Sequence, residues 1–521
     1  VTLLDSHSDA SSSGPSFWGF GEDAPLELPN DMTPTAEAAL LSRLRDGSFA
    51  AWAETAASVG NCVNPIRLVG SSTTFDTANG EVVGGFSSGD APLGVLYVPC
   101  GNRRANVCPP CSRTYARDTF ELLRAGVSGG KTIPESVAEN PLLFVTFTAP
   151  SFGHVHRHDK NGKRCRPRDR VQVCEHGRPV GCMSIHGEND PANGSPLCWD
   201  CYDWTGSIVW QFTAPELWRR TTIALRRAVA QALGAKADDL GSVASMEFAK
   251  VAEYQARGLV HFHALIRLDG VEGPGSPAPM DGRQLAKVIA TAAPDVEAPA
   301  PPIDDDDCDR LMRWGRQLDI KLVRPGHRTD DPDTELTAEQ VAGYLAKYVT
   351  KDATSVRRPG ATPHLKHMES LCCEVERRGR DHYGPGFQLP KKRNGEDNPE
   401  GKPIPDNPYF LLGKWAKALG FRGHFSSKSR SYSVTLGRLR RARQRFAVLA
   451  AESRRTGRPI DTEDLEARLL AEDAEETTVV IGSWAYQGTG WPSPGDATLA
   501  ASAAARAREY DQWAADQRKA A

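Results

Sequence analysis

The sequence predicts an α+β chain in which a sheet-forming core carries metal-stapled, cysteine-rich insertions and a basic helical C-terminal region. Three observations carry this expectation. Residues 142–148 form a β-branched and aromatic run, and 242–267 has the pattern of a β-hairpin. Residues 338–351 have the start signals of a capped helix, with Thr337 as cap, Gln340 three residues on, and Leu336 placed to staple against Val341. Residues 153–205 are polar and rich in Cys, His, Gly and Pro, too irregular for a core sheet.

The remaining elements follow in order. A lead over 1–50 ends in an Ala-rich helix from about Thr35. Residues 51–140 form a cysteine-rich module with a strand over 94–98 and a helix over 112–125. The core spans 141–355, with an insertion at about 154–205. After it, 207–212 reads as a strand, and Thr213 with Glu216 has the spacing of a capping box opening a helix to about Leu233. Residues 270–308, rich in Pro and Asp, read as a loop with one short helix. A basic extension over 356–455 is Pro- and Gly-rich at first and helical over 435–455. The tail, 456–521, is acidic and then Ala-rich and helical.

With 521 residues, 40% hydrophobic and 25% charged, the chain has length for three to four domains and the composition of an ordered protein. It has no apolar run of the roughly 18 residues a membrane helix needs. The first residues lack the features of a secretory signal, so the cytoplasm is the expected location. A net charge of −3 hides an asymmetry: residues 401–455 hold thirteen Lys and Arg against Asp406 and Glu452. A basic surface for phosphates is therefore expected, with Arg438, Arg440, Arg441, Arg443 and Lys428 as candidate contacts.

Twelve cysteines in a reducing compartment point to metal rather than disulfides. Cys174, Cys182, Cys198 and Cys201 form C-x7-C-x15-C-x2-C; Cys100, Cys108 and Cys111 form C-x7-C-x2-C, with Cys62 as fourth thiolate. Two structural Zn²⁺ ions are expected. Cys165, His176 and His186 compete for places in the second site. A Walker-like run at 125–132 is set aside: a helix ends there and its glycines cap it, whereas a phosphate loop needs a strand before and a helix after.

His261 and His263 alternate onto one face of an otherwise apolar strand, where two uncompensated imidazoles would be costly. A three-residue loop, Ala256-Arg257-Gly258, would set Glu253 directly opposite His261. Two imidazoles and a carboxylate leave coordination positions open, which suits Mg²⁺ or Mn²⁺ with a phosphate oxygen still to bind. In the capped helix, Tyr344 and Tyr348 stand at i and i+4 on one face, each with a lysine three residues later, Lys347 and Lys351. Phenolate attack on phosphorus needs such cationic or metal help.

Strand 144–148, Glu253 with His261-Phe262-His263, and Tyr344-x-x-Lys347-Tyr348-x-x-Lys351 resemble the three ordered motifs of rolling-circle HUH initiators, and the paired tyrosines resemble the two-tyrosine class. The segments 62–68, 107–111 and 423–428 resemble the RepSA-type replication initiators of actinomycete plasmids and integrative elements, a likeness spanning roughly 62–445. The resemblance implies an HUH-type central antiparallel sheet with flanking helices. It also implies a metal-dependent nickase acting on origin DNA, with Tyr348 attacking first, Tyr344 serving the second transfer, and Lys347 and Lys351 steadying charge. The expected product is a 5′-phosphotyrosine link and a 3′-hydroxyl for a host polymerase; no helicase motif is present, so a host helicase is implied. The rival expectations are an HUH transposase and a non-enzymatic zinc-stapled DNA-binding regulator.

Overall fold

The computed structural model describes residues 33–324, 336–349, 363–388, 397–398, 401–471 and 478–520. The chain divides into two compact units, one made of residues 1–117 and 471–521, the other of 118–470.

The first unit begins with α1 (Pro34–Arg45) and α2 (Phe49–Ser58), followed by β1 (Ile66–Asp76), β2 (Val82–Ser87) and β3 (Leu96–Val98). Thr33 caps α1, and Pro34 stands at its first position, where a missing N–H costs nothing. Helix α3 (Pro109–Ser128) starts directly after Cys108, so the knuckle Cys108–Cys111 is built on a helix N-terminus; the boundary between units falls within this helix.

In the second unit the order is β4 (Leu142–Phe147), α4 (Trp204–Ala232), β5 (Ser245–Tyr254), β6 (Val260–Asp269), α5 (Gly282–Ala292), β7 (Glu297–Ala300), β8 (Arg310–Arg313), β9 (Leu318–Arg324), β10 (Leu336–Thr337) and α6 (Ala338–Val349). Then come α7 (Pro363–Tyr383), β11 (Phe387–Gln388), β12 (Ile404–Pro405), β13 (Ser426–Lys428), α8 (Leu436–Thr456) and α9 (Leu465–Leu470). A six-stranded sheet of order β10-β9-β4-β6-β5-β13 organises this unit; all its pairs are antiparallel except β10 with β9. The chain then returns to the first unit as β14 (Thr478–Thr489), antiparallel to β1, and α10 (Pro494–Ala520).

Alternation gives the large sheet two different faces. One carries Leu143, Val145 and Phe147 of β4 with Phe262, Ala264, Ile266 and Leu268 of β6, and it packs on α4 and α5 to form the main core. Trp218 of α4 meets Phe147, Phe248 and Phe262 edge-on at 5.3–5.9 Å, and each such buried ring contributes about 2–3 kcal/mol. The other face carries Phe144, Thr146, Glu253, His261, His263 and Asp319. Farther along it, Arg267 and Asp269 are fully buried and joined at 2.9 Å, with Asn140 donating to the same carboxylate at 2.7 Å.

Three expectations need correction. Residues 207–212, expected as a strand, lie inside α4, which starts at 204 with Asp203 as cap. Thr213 and Glu216 therefore form no capping box; Pro215 sits within the helix, and Glu216 bonds Arg219 and Arg220. The apolar run was ambiguous because a helix buried on all sides shows no helical period. The Pro- and Gly-rich start of the basic extension, for which no helix was expected before 435, contains α7, whose Leu365, Met368, Leu371, Cys372 and Val375 join the main core. The tail adds β14 to its expected helix.

Candidate active site and metal centres

The β5–β6 hairpin places the first three residues. Gly258 adopts φ +84°, and its N–H donates to Gln255 O at 2.9 Å; Gln255 N in turn donates to Leu259 O at 2.8 Å. A Cβ here would fall 2.7 Å from Leu365 Cδ2, so the turn needs glycine for space as well as for conformation. The loop of Ala256, Arg257 and Gly258 fixes the register, with Glu253 opposite His261 and Val251 opposite His263.

Glu253 Oε2 is 3.0 Å from His261 Nε2 and 3.2 Å from His263 Nε2. Burial alone would raise the Glu253 carboxyl, but the two imidazole hydrogen bonds outweigh it and hold the group at about 2. His263 is 4% exposed, and burial pushes its imidazole below its ordinary value. An ionised carboxylate and an unprotonated imidazole are the forms that bind a cation. The three ligand atoms lie within 4.8 Å of one another, so Glu253, His261 and His263 fit a divalent ion with coordination positions left over.

Thr146 of β4 lies opposite His263, its Oγ1 3.0 Å from His263 Nδ1, and Phe144 stacks on the same imidazole at 5.4 Å. Tyr344 of α6 packs edge-on against His263 at 5.5 Å and Phe144 at 6.0 Å, and is 41% exposed. The first tyrosine of the helix is therefore brought to the histidine pair. Tyr348 and Lys347 lie on α6, one turn from Tyr344 and beside it, but their side chains, and the whole of Lys351, fall outside the described residues.

Three further clusters have the composition of structural metal sites. In the first unit Cys62, Cys100, Cys108 and Cys111 gather, with Cys62–Cys108 and Cys100–Cys111 Sγ pairs each at 3.7 Å. Tetrahedral Zn–S bonds of about 2.3 Å require S···S edges of about 3.8 Å, whereas a disulfide would bring sulfur to about 2.05 Å. Hydrogen bonds from the Cys111 and Cys62 thiols drive Cys108 well down, toward thiolate.

The insertion holds two clusters where one was expected. Cys174, Cys198 and Cys201 are joined by His176, whose Nδ1 is 3.2 Å from Cys201 Sγ; Cys182 instead joins His156, Cys165 and His186. In the latter group His156 Nδ1 and His186 Nε2 are 3.1 Å apart and Cys182 Sγ is 3.5 Å from His186, close to the roughly 3.4–3.6 Å edges of a tetrahedral N₂S₂ site. Asp190 Oδ2 at 2.7 Å from His186 Nδ1 orients that ligand from behind. Sequence reasoning grouped Cys182 with Cys174 because the x7 gap matched the gap between Cys100 and Cys108. Cys165, His176 and His186, competitors for a single site on spacing, are ligands of two clusters by position, and the signals that separate them are the C-x-H spacing of Cys174 and His176 and the x3 spacing of Cys182 and His186.

The candidate DNA contacts are partly occupied within the protein. Arg443 forms a bidentate pair with Asp118, Arg438 donates to Leu470 O, and Lys428 Nζ donates to the carbonyls of Ser429, Arg430 and Ser433. Arg440 is exposed and Arg441 half-buried.

A family model described as "RepSA: Replication initiator protein, pSAM2" matches residues 48–505. The chain is 36% identical over 480 residues to a replication initiator protein of Streptomyces ambofaciens, an alignment covering 91% of this chain and 94% of that protein. No solved structure matches. Among the described residues no helix is long and apolar enough to cross a membrane.

Proposed function

The chain belongs to the RepSA family of replication initiators, and on that premise we propose that it starts rolling-circle replication of a plasmid or integrative element by nicking one strand of origin DNA through a tyrosine ester. The observation that carries the reading is the packing of Tyr344 on His263, on the sheet face where Glu253, His261 and His263 converge. The sheet, hairpin and tyrosine helix are then the HUH arrangement.

Glu253, His261 and His263 would hold Mg²⁺ or Mn²⁺, which when bound supplies Lewis-acid polarisation of the scissile phosphate. Thr146 and Phe144 fix the His263 ring so that its Nε2 stays aimed at Glu253. Tyr348 is the first nucleophile expected on sequence grounds, and its side chain lies outside the described residues; Tyr344, whose ring lies against the histidine, is taken as the first attacker. Its Oη bonds to phosphorus as the P–O3′ bond breaks. The phenolic proton passes to solvent, and the departing 3′ oxygen takes up a proton to become a free hydroxyl. A 5′-phosphotyrosine remains on the protein, and the 3′-hydroxyl serves a host polymerase. Tyr348, one turn on, performs the second transfer, and Lys347 and Lys351 steady the negative charge.

Zn²⁺ in the cysteine–histidine clusters staples the modules that flank this site. A host helicase supplies single-stranded origin, in the cytoplasm. The test is a radiolabelled single-stranded origin oligonucleotide with Mn²⁺: a denaturation-resistant adduct that maps to Tyr344 is expected. No adduct would leave a zinc-stapled regulator, and an adduct confined to an element's own ends would mark a transposase.

A further inference from the structure

At the end of the sheet where Glu253 and His261 stand, an open cleft of about 1140 Å³ separates the strand ends from the metal-stapled insertion. Its floor includes Thr148, two residues and so roughly 7 Å beyond Thr146 along the chain. Its walls include the hairpin tip at Arg257 and the insertion at Arg157 and Arg166, with Arg313 and Arg316 completing the rim. Glu188 is the single acid among the lining residues.

Arg313 pairs with Glu297, whereas three of the other guanidinium groups are held by neutral acceptors. Arg257 donates to Ala149 O, Pro150 O and Gln255 Oε1 at 2.8–2.9 Å, Arg166 to Val155 O at 2.8 Å, and Arg157 to Cys165 O at 2.8 Å. Carbonyls fix such a side chain in place without cancelling its charge. Burial pushes the Arg257 guanidinium below its ordinary value, with Arg166 adding to it. Like charges gathered at this spacing repel, and the repulsion is relieved by a bound polyanion. The metal cluster of His156, Cys165, Cys182 and His186 lies directly behind: Arg157 and Arg166 flank Cys165 in the chain or in space, so a metal there sets the position of both arginines.

We propose that this cleft is the track for the single-stranded DNA flanking the scissile phosphate, with Arg157, Arg166, Arg257 and Arg316 binding consecutive backbone phosphates. The inference rests on the nickase reading and adds to it a binding path and a direction of approach. A recessed cationic groove suits a strand already separated from its partner.

The test uses the full-length, zinc-loaded protein and fluorescence anisotropy across a salt series. The probes are two labelled single strands, one spanning the nick with its flank and one cut back to the nick. Arg316→Gln, on the exposed rim, and an Arg157→Gln/Arg166→Gln pair each bind the long strand about tenfold more weakly, with the log–log salt slope reduced by about 0.7 per lost phosphate contact. The short strand binds as it does to the parent protein, which a general folding defect would not allow; zinc content stays unchanged. Unchanged slopes on the long strand, equal loss on both strands, or tighter binding of duplex than of single strand would each overturn the proposal. Adduct formation by the parent protein is scored separately. An adduct with unaltered slopes in the variants removes the cleft and leaves the nickase, whereas flank-specific binding without any adduct removes the nickase and leaves the cleft.

Discussion

Thr146 holds His263 from behind: its hydroxyl oxygen is 3.0 Å from Nδ1, while Nε2 of the same ring faces Glu253 at 3.2 Å. The ring's orientation is thus set by a residue on the neighbouring strand. Thr146→Val keeps the shape and removes the partner, and is expected to weaken Mn²⁺ binding about 10–100-fold. Thr146→Ser should stay near the parent value. Electron paramagnetic resonance titration of free Mn²⁺ measures both; equal affinities in Val and parent protein would show that the hydroxyl does not position the ring.

The two tyrosines should separate in a nicking assay. Tyr344→Phe is expected to cut adduct formation by at least about a hundredfold. Tyr348→Phe should still form the adduct but fail to resolve it into joined circles. Peptide mapping of the trapped adduct checks the assignment, and a phosphotyrosine found at Tyr348 in the parent protein reverses the order.

Metal analysis of the purified protein should return three zinc ions per chain, one more than the cysteine spacing alone predicted. Cys182→Ser and Cys174→Ser should each remove one zinc and together remove two, because their sulfurs belong to different clusters. A single zinc lost by the double variant, measured by plasma mass spectrometry, would rejoin them into one site.

Lys250 gives a pH signature. It is 4% exposed on the core face of β5, Nζ donating to His424 O at 2.7 Å over the Phe262 ring, and burial brings its amine down to about 7. The unfolded lysine keeps its proton to about pH 10.4, so from about 7 to 10 the unfolded chain binds more protons than the folded one. Stability should therefore rise with pH across that window, by up to about 1.4 kcal/mol per unit, with the full burial penalty in force below 7. Lys250→Met should flatten the slope in zinc-saturated urea denaturation, and a persisting slope would place its origin elsewhere.

On α8 the arginines should differ in kind. Arg440→Gln is expected to lower the salt slope of origin binding by about 1 with unchanged stability. Arg443→Gln breaks the pair with buried Asp118 and should destabilise by about 1 kcal/mol or more. Equal salt slopes for Arg440→Gln and the parent protein would remove this helix face from DNA contact.

The hairpin register was legible because a glycine-ended loop of three residues admits few pairings, and the alternation around Phe262 allowed the histidines one face. The tyrosine helix was legible from its start signals. Helix α4 was not, since Ile208, Val209, Trp210 and Phe212 are all buried and the helical period vanished with the exposed face. Nor was the division of the insertion, where ligand sets depend on how a nearly strandless chain folds back, as in the Val155–Pro196 and Arg166–Cys182 bridges. Thr146 stood within a motif strand, but its partnership with His263 depends on strand order, which local patterns do not encode.

The pairing of β14 with β1 has a consequence for biosynthesis. Ile66 to Asp76 must wait for Thr478 to Thr489, and Trp491, whose indole donates to Cys62 O at 2.9 Å, arrives later still. At roughly 5–20 residues per second a ribosome needs about twenty seconds or more to span that gap. The nascent Cys62, Cys100, Cys108 and Cys111 therefore spend that interval without their closing strand, and zinc capture by this cluster would be the early event around which the returning segment docks.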